Sequence, residues 1–334
     1  MFVREEGARS FRDFRDVWLG ERHTTTYRKI DVAKAVRHGS FTAADGTRTP
    51  TRTLVLTLSR TCDLVGELDL ALGAGLGEGL RVESIEVEIG GQRVDKVDFD
   101  ETLLEALSAV HGRRPPQRIA RGGGGGGTRF VPLLLAPFHR GNLLPLVALQ
   151  HHPVTVSVHF GEGEIPDEDL ERGVELYGDV YFVEAPMRRR LCDEPISMGV
   201  AQCQWGASER SFAVKLCCNH PVTALVFWGF DRDAVTNVRL TLDGDTLYDG
   251  PLEPLERAKE TRLGPLAACV LFLTGARPPW SDRQATVNFS RIDDAVLEIA
   301  STQRLGPDER VHVRAVTLQP LRIAAGMAGL EFSK

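Results

Sequence analysis

The sequence predicts an all-β protein made of two antiparallel sandwiches. Three observations predict it. Short apolar–polar alternations recur between glycine- and proline-marked turns along the chain. The stretch Arg129–Phe160 closes on Val154, Val156, Val158 and Phe160 alternating with Thr155, Ser157 and His159, which sends the two sets of side chains to opposite faces of a strand. The strand-like pattern then restarts after residue 190 and partly echoes the first half.

Within that central stretch, Phe130–Leu135 is an apolar run interrupted by Pro132 and stopped by Pro137, and Leu143–Leu149 is a second. Prolines at the edges of such runs and β-branched residues inside them favour strands over a helix. Upstream, residues 1–21 form a polar arm that still carries Phe2, Phe11, Phe14, Val17 and Trp18. The segment Thr26–Val36 reads as a strand edge or a short helical piece, and turn signals follow at Ala44-Asp45-Gly46 and Thr49-Pro50. Strands are predicted at Leu54, Leu56 and Leu58, at Leu68, Leu70 and Leu72 after the polar break Arg60–Asp63, and at Ile85, Val87 and Ile89 before a Gly90-Gly91 turn. A glycine-rich connection covers 73–79.

Asp98–Val110 reads as the one clear helix, capped by Asp98 or Asp100, with Leu103, Leu104, Leu107 and Val110 on one face. The six glycines Gly122–Gly127 read as a surface loop, since the Thr128-Arg129 that follows lacks the Lys-Ser/Thr of a phosphate-binding loop. Glu162–Gly173 reads as an acidic loop and Val174–Val183 as a strand. Arg188-Arg189-Arg190 is expected to pair with local acids at a linker near Arg188–Asp193. In the second half Phe212–Cys218, Val222–Trp228, Val238–Leu242 and Cys269–Leu273 are strand-like. Ser84–Gly91 aligns with Asn237–Gly244, three apolar positions and the turn glycine coinciding, which points to a duplicated plan.

Composition narrows the function. A chain of 334 residues with 42% apolar content supports about two domains. A net charge of -6 argues against a surface devoted to nucleic acid or anionic membrane. No apolar run approaches the ~20 residues of a membrane-spanning helix, and the N-terminus lacks a secretory core, so a soluble protein of a reducing compartment is expected. Cys62, Cys192, Cys203, Cys217, Cys218 and Cys269 show no C-x-x-C spacing and are expected as buried free thiols.

Catalytic patterns are lacking. The sequence has no H-E-x-x-H, no G-x-S-x-G and no nucleotide-binding glycine pattern. His151-His152 is expected to face solvent, Asp293-Asp294 to serve a turn, and Asn288-Phe289-Ser290 to escape glycosylation in a chain made in the cytosol. No catalytic, cofactor-binding or metal site is assigned, no cofactor is expected, and the chain is read as a non-enzyme.

Six collinear segments resemble the major capsid proteins of the nucleocytoplasmic large DNA viruses. Arg60–Val65 resembles the step to Asp-Leu-Val that enters an early strand of that family. Ile85–Lys96, IEVEIGGQRVDK, resembles its elEiGGqkiDk turn, and Gly141–His152, GNLLPLVALQHH, resembles NPGLALPLIALQYH. Asn219–Val222 resembles NHPVKEL, Asn288–Asp293 resembles NFSRiDn, and the final LRIAAGMAGLEFSK resembles LRIMSGMAGLAYSN. These matches span residues 60–334.

The resemblance implies a double jelly roll, two eight-stranded antiparallel β-sandwiches side by side, with an arm at 1–21, a first jelly roll at 22–190 and a second at 191–334. It implies a virion protein synthesised in the host cytoplasm. Homotrimers would form pseudo-hexagonal capsomers that meet neighbouring capsomers, minor capsid proteins and, through other proteins, an inner membrane, without direct nucleic-acid binding. The family's long outer loops are short here, at Asp249–Leu263 and Ala276–Gln284, and the six-glycine loop has no counterpart in it. A minor, vertex-associated or scaffold-type relative therefore remains an alternative. A carbohydrate-binding jelly roll, drawing on Trp18, Trp205 or Trp280 with Trp228 in the core, and a jelly-roll enzyme are alternatives of other classes. The C-terminal Gly326–Gly329, with Leu330 and Phe332, is expected to be ordered and packed.

Overall fold

A computed structural model of the chain describes residues 23–42, 48–73, 76, 82–119, 127–139, 142–161, 165–251, 268–273, 286–307 and 309–331. The arm with its aromatics, the Ala44–Gly46 turn, nearly all of the 73–79 connection, Gly122–Gly126, Trp280, Phe332 and most of the two short loops lie outside the described residues.

In chain order the first half comprises β1 (His23–Lys29), β2 (Val32–Thr42), β3 (Arg48–Leu58), β4 (Leu64–Leu72), β5 (Val82–Ile89), β6 (Gln92–Asp98), α1 (Glu101–Val110), β7 (Gln117–Ile119), β8 (Thr128–Pro132), β9 (Val154–Phe160), α2 (Asp167–Gly173) and β10 (Val174–Val183). The helix α3 (Ala185–Asp193) leads into β11 (Ile196–Glu209), β12 (Ala213–Lys215), β13 (Pro221–Trp228), β14 (Val235–Leu242), β15 (Asp245–Gly250), β16 (Cys269–Phe272), β17 (Val287–Asn288), β18 (Ala295–Ser301), β19 (Val311–Ala324) and β20 (Met327–Leu330).

Strands of the first half form two sheets, ordered β1-β10-β4-β8-β7 and β2-β3-β9-β5-β6. Those of the second form the order β11-β19-β13-β16, with β17 on β13 and β20 on β19, and the order β12-β18-β14-β15. All pairings are antiparallel among the described residues. Among the described residues ten strands fall in each half, some of them short pieces such as β7, β17 and β20.

The predicted alternations place the core as expected. Leu54, Leu56, Leu68, Leu70, Val87, Val156 and Val158 are fully buried between the first two sheets, each adding about 1.5–3 kcal/mol of transfer free energy. The echoed segments are β5 and β14, and both open hairpins of the same kind. Gly90 and Gly91 have φ of 60° and 81°, and Asp243 and Gly244 have 50° and 88°. Two consecutive positive φ values are what a two-residue turn needs to match the twist of its strands. The helix α1 starts on Asp100, whose side chain accepts from Leu103 N at 3.0 Å, while Asp98 stays in β6.

In the sheet led by β11, the strand β13 is buried on both faces. From β13, Val222, Leu225 and Phe227 face the β12-β18-β14-β15 sheet, while Ala224, Val226 and Trp228 join the core of the first half. There α1 packs against β13 and β16.

Several expectations are corrected. Leu143–Leu149 is not a strand. It is a buried crossing with a 3-10 turn at Leu146–Ala148, because Pro145 lacks the N–H a ladder requires. Thr49-Pro50 sits within β3 rather than at a turn. The acidic Glu162–Gly173 stretch contains α2, whose Asp167, Glu168 and Asp169 suit a helix N-terminus. Thr26–Val36 contains parts of β1 and β2 and no helix. All six cysteines are free thiols, but Cys192 and Cys203 are only half-buried, and Cys217 is exposed because only the three residues Ala213–Lys215 of its segment are strand.

Candidate functional site: the seam between the two halves

The seam is built on an open strand edge. In an edge strand, alternate residues turn both backbone polar groups outward, and these need partners when buried. On β11 those residues are Gly199, Ala201 and Cys203, and each is met by a side chain of the first half. Asn142 Nδ2 donates to Gly199 O at 3.1 Å, His139 Nε2 donates to Ala201 O, and Cys203 N donates to Asp95 Oδ1 at 3.3 Å. Gln202 Nε2 in turn donates to Val94 O of β6. A fixed set of side chains thus takes the place of a neighbouring strand.

Asp95 is the anchor of this edge. Its carboxyl also accepts from Lys96 N at 2.9 Å and Ala136 N at 3.0 Å. Burial pushes it up to about 8, against the pull of those backbone donors. The Cys203 thiol is raised too, first by burial and then by Asp95, so it is inert as a nucleophile.

A cleft of about 630 Å³ opens beside this edge. Arg314 of β19 crosses it to Asp98 and lies 4.0 Å from the ring centre of Trp205 and 5.8 Å from that of Trp228. The exposed Trp205 is therefore covered on one face by a guanidinium. Trp228 is buried, as expected.

The segments that carry the resemblance meet one another. Val65 and Leu144 exchange backbone bonds of 3.0 and 2.8 Å, and Val147 N donates to Asp63 O. His151 is exposed, as expected, and His152 is half-buried, and the pair also holds the C-terminal hairpin. His151 N donates to Gly326 O at 2.9 Å, and Ala328 N donates to His152 Nδ1 at 3.1 Å. Leu330 N reaches Gln92 Oε1 at 3.3 Å. A Cβ on Gly326, whose φ is 78°, would lie 2.7 Å from the His151 ring. Likewise Pro221 pairs with Asn288, and Phe289 N donates to His220 O at 3.3 Å.

The remaining candidates are structural. Asp63 is buried, holding Arg188 at 2.8 Å and accepting from Val183 N at 2.8 Å, while Arg190 pairs with Glu194. Asp293 and Asp294 donate their backbone N–H groups to Asp243 Oδ1 at 2.9 and 2.8 Å, a turn closure. Asn288 accepts from Ser290 N at 3.1 Å. Among the described residues, no group of three or more His, Cys, Asp or Glu is placed to hold a metal ion, and no helix is long and apolar enough to cross a membrane. Asp95, His139 and Asn142 were not singled out in the sequence, although Asp95 and Asn142 lie inside the resembling segments.

Deleting Ala324–Lys334 removes β20 and the turn that clasps His151 and His152. The expected result is a clearly lower melting temperature by circular dichroism, or no folded protein. An unchanged melt would show that the hairpin contributes nothing.

Side-by-side sandwiches locked along a strand edge define a double jelly roll. Over 93% of the chain and 97% of the other, the fold superposes with a TM-score of 0.62 and 17% identity on VP54 of PBCV-1, in a crystal structure fitted into a reconstruction of the virophage Sputnik. A quasi-atomic model of the PBCV-1 capsid gives the same score at 16% identity, with 93% and 97% covered. In sequence the chain is similar to capsid proteins of large DNA viruses. The major capsid protein of Pyramimonas orientalis virus is 28% identical over 307 residues, covering 75% of this chain and 76% of that one. Capsid protein 1 of Acanthamoeba polyphaga mimivirus is 27% identical over 205 residues, covering 49% of this chain and 34% of the other. No family model matches the chain.

Proposed function

We propose that the chain is a structural subunit of an icosahedral virion, self-assembling as trimers whose six sandwiches form a pseudo-hexagonal capsomer. Its parts are an arm at 1–21, a first jelly roll at 22–190 and a second at 191–334, with α3 as the linker. The observation that carries this reading is the middle sheet, whose strand β13 is buried on both faces and so joins the two sandwiches into one block. A block of that kind suits a lattice brick, and three copies supply six similar walls without six chains. The polar side chains gathered at the seam are engaged in holding the block together, which favours a role without catalysis. It acts through contacts with itself, neighbouring capsomers and minor capsid proteins.

Light scattering on the full-length protein at micromolar concentration tests the assembly. Three chains of 36.7 kDa give a particle of about 110 kDa. A monomer sinks the trimer. A chain starting at His23 tests whether the arm and its aromatic residues dock on a neighbour, since a truncated protein that still trimerises removes that role. Trimer interfaces of this kind bury roughly 2,000 Å² or more.

A further inference from the structure

His111 and His139 lie face to face at the seam, ring centroids 4.0 Å apart and planes 16° from parallel. His111 is the C-cap of α1, and both side chains are buried. His139 gives its Nε2 proton to Ala201 O, so in a neutral ring Nδ1 bears the lone pair. That nitrogen is buried with no hydrogen-bond partner. The arrangement tolerates only neutral imidazoles, because a proton on Nδ1 would find no acceptor and would face a second ring.

We propose that this stacked pair is an acid-release latch: protons taken up by His111 and His139 break the middle of the three contacts along β11 and free that edge from the first half. The latch belongs to the single chain and does not depend on assembly.

The charged neighbours set its strength. Arg113, in the turn after α1, repels a charge on either ring, although its guanidinium is held by Glu67 at 3.1 Å and Asp69 at 2.8 Å on β4. From β11 the pair meets the Ala201 carbonyl. From β6 comes Asp95, one contact along the edge.

The signs are as follows. Burial, helped by Arg113, lowers His139 to about 4, and burial, His139 and Arg113 hold His111 well below 6.5. The closed seam binds fewer protons than the open one, so its hold is full above pH 6.5 and is lost as pH falls toward 4. For His139 alone, values near 6.5 when open and about 4 when closed make opening roughly 30-fold easier at pH 5 than at pH 7.5. Asp95 acts in the opposite direction. Its carboxyl, raised to about 8, keeps a proton in the closed seam that it gives up on exposure, so acid favours closure there. Between about pH 7.5 and 5 that opposition is larger than the effect of His139 alone, so opening in acid needs both histidines. Net proton uptake on opening sets in only below about pH 6.5.

Hydrogen exchange with mass spectrometry on the full chain tests this, at pH 7.5 and 5.0 with intrinsic rates corrected. The peptides to follow are Leu133–His139 and Ile196–Gln204. His139→Gln keeps an N–H donor for Ala201 and does not titrate. The expected acid-to-neutral ratio of exchange is roughly 30-fold larger in the wild type than in this variant, Asp95 being common to both. Equal ratios overturn the proposal. If His139→Gln does not fold, His111→Phe keeps the stack and removes one titrating ring, and it is expected to lower the ratio, an unchanged ratio overturning the proposal. The wild type decides by itself as well: exchange on β11 that stays flat or slows from pH 7.5 to 5.0 overturns the latch.

Discussion

Gly229→Ala is expected to prevent the second half from folding. Gly229 follows β13 directly and has φ of 101°, a conformation that L-residues with a side chain rarely adopt. A Cβ there would stand 2.0 Å from the carbonyl oxygen of Arg310, just before β19. The obstruction is backbone, so no rotamer change relieves it. The strands would have to part at the Trp228–His312 pair, where one of the rings in the seam is seated. The cost belongs to the rare class above about 4–5 kcal/mol, against a domain stability of about 5–15 kcal/mol. Soluble yield and a thermal melt read the outcome, and an alanine variant melting within about 3 °C of the wild type would contradict it.

Phe138→Ala is expected to lower the melting temperature by roughly 10 °C, from a loss of about 3–5 kcal/mol. Phe138 is fully buried and among the largest side chains of the core. It is the residue before His139, so its cavity also loosens the β11 edge. Phe138→Leu should recover more than half of the loss, because it refills most of the volume. A loss below about 1 kcal/mol for the alanine variant would mean that the site is not packed as described.

Half-buried strands were legible in the sequence. In β3, β5, β9 and β14 one face is core and the other is polar, so alternation and turn glycines mark them. The longest strands were not. Both β11 and β19 run 14 residues in a sheet covered on its two sides, where the demand for apolar residues on one face alone disappears. On β19, Arg314, Thr317, Gln319 and Pro320 break the apolar pattern further. Arg314 is buried and paired with Asp98, which is 216 positions away in sequence. Helix α2 escaped because a seven-residue helix buries a single residue, Leu170.

The seam was legible only indirectly. An aspartate that caps a remote strand edge looks like any aspartate, and Asp95 is followed by Lys96 as if both faced water. What marked the site was its vocabulary, since the resembling segments hold Asp95, Asn142, His151, His152 and Gly326. Their meeting in space explains why those words recur together: each is shaped by another. His139 lies just outside the segment that carries Asn142, and nothing local signals that its ring is dry.

At β13 the middle sheet has no outside. Along β13 the residues Val222 to Trp228 are buried without a break, and they answer to two cores by turns. A substitution that improves the fit on one side of this strand shifts its backbone against the other. Drift in the chain is thereby channelled to the connections at the sheet ends, where insertions disturb neither core. Changes confined to those connections leave the sheet between the sandwiches undisturbed.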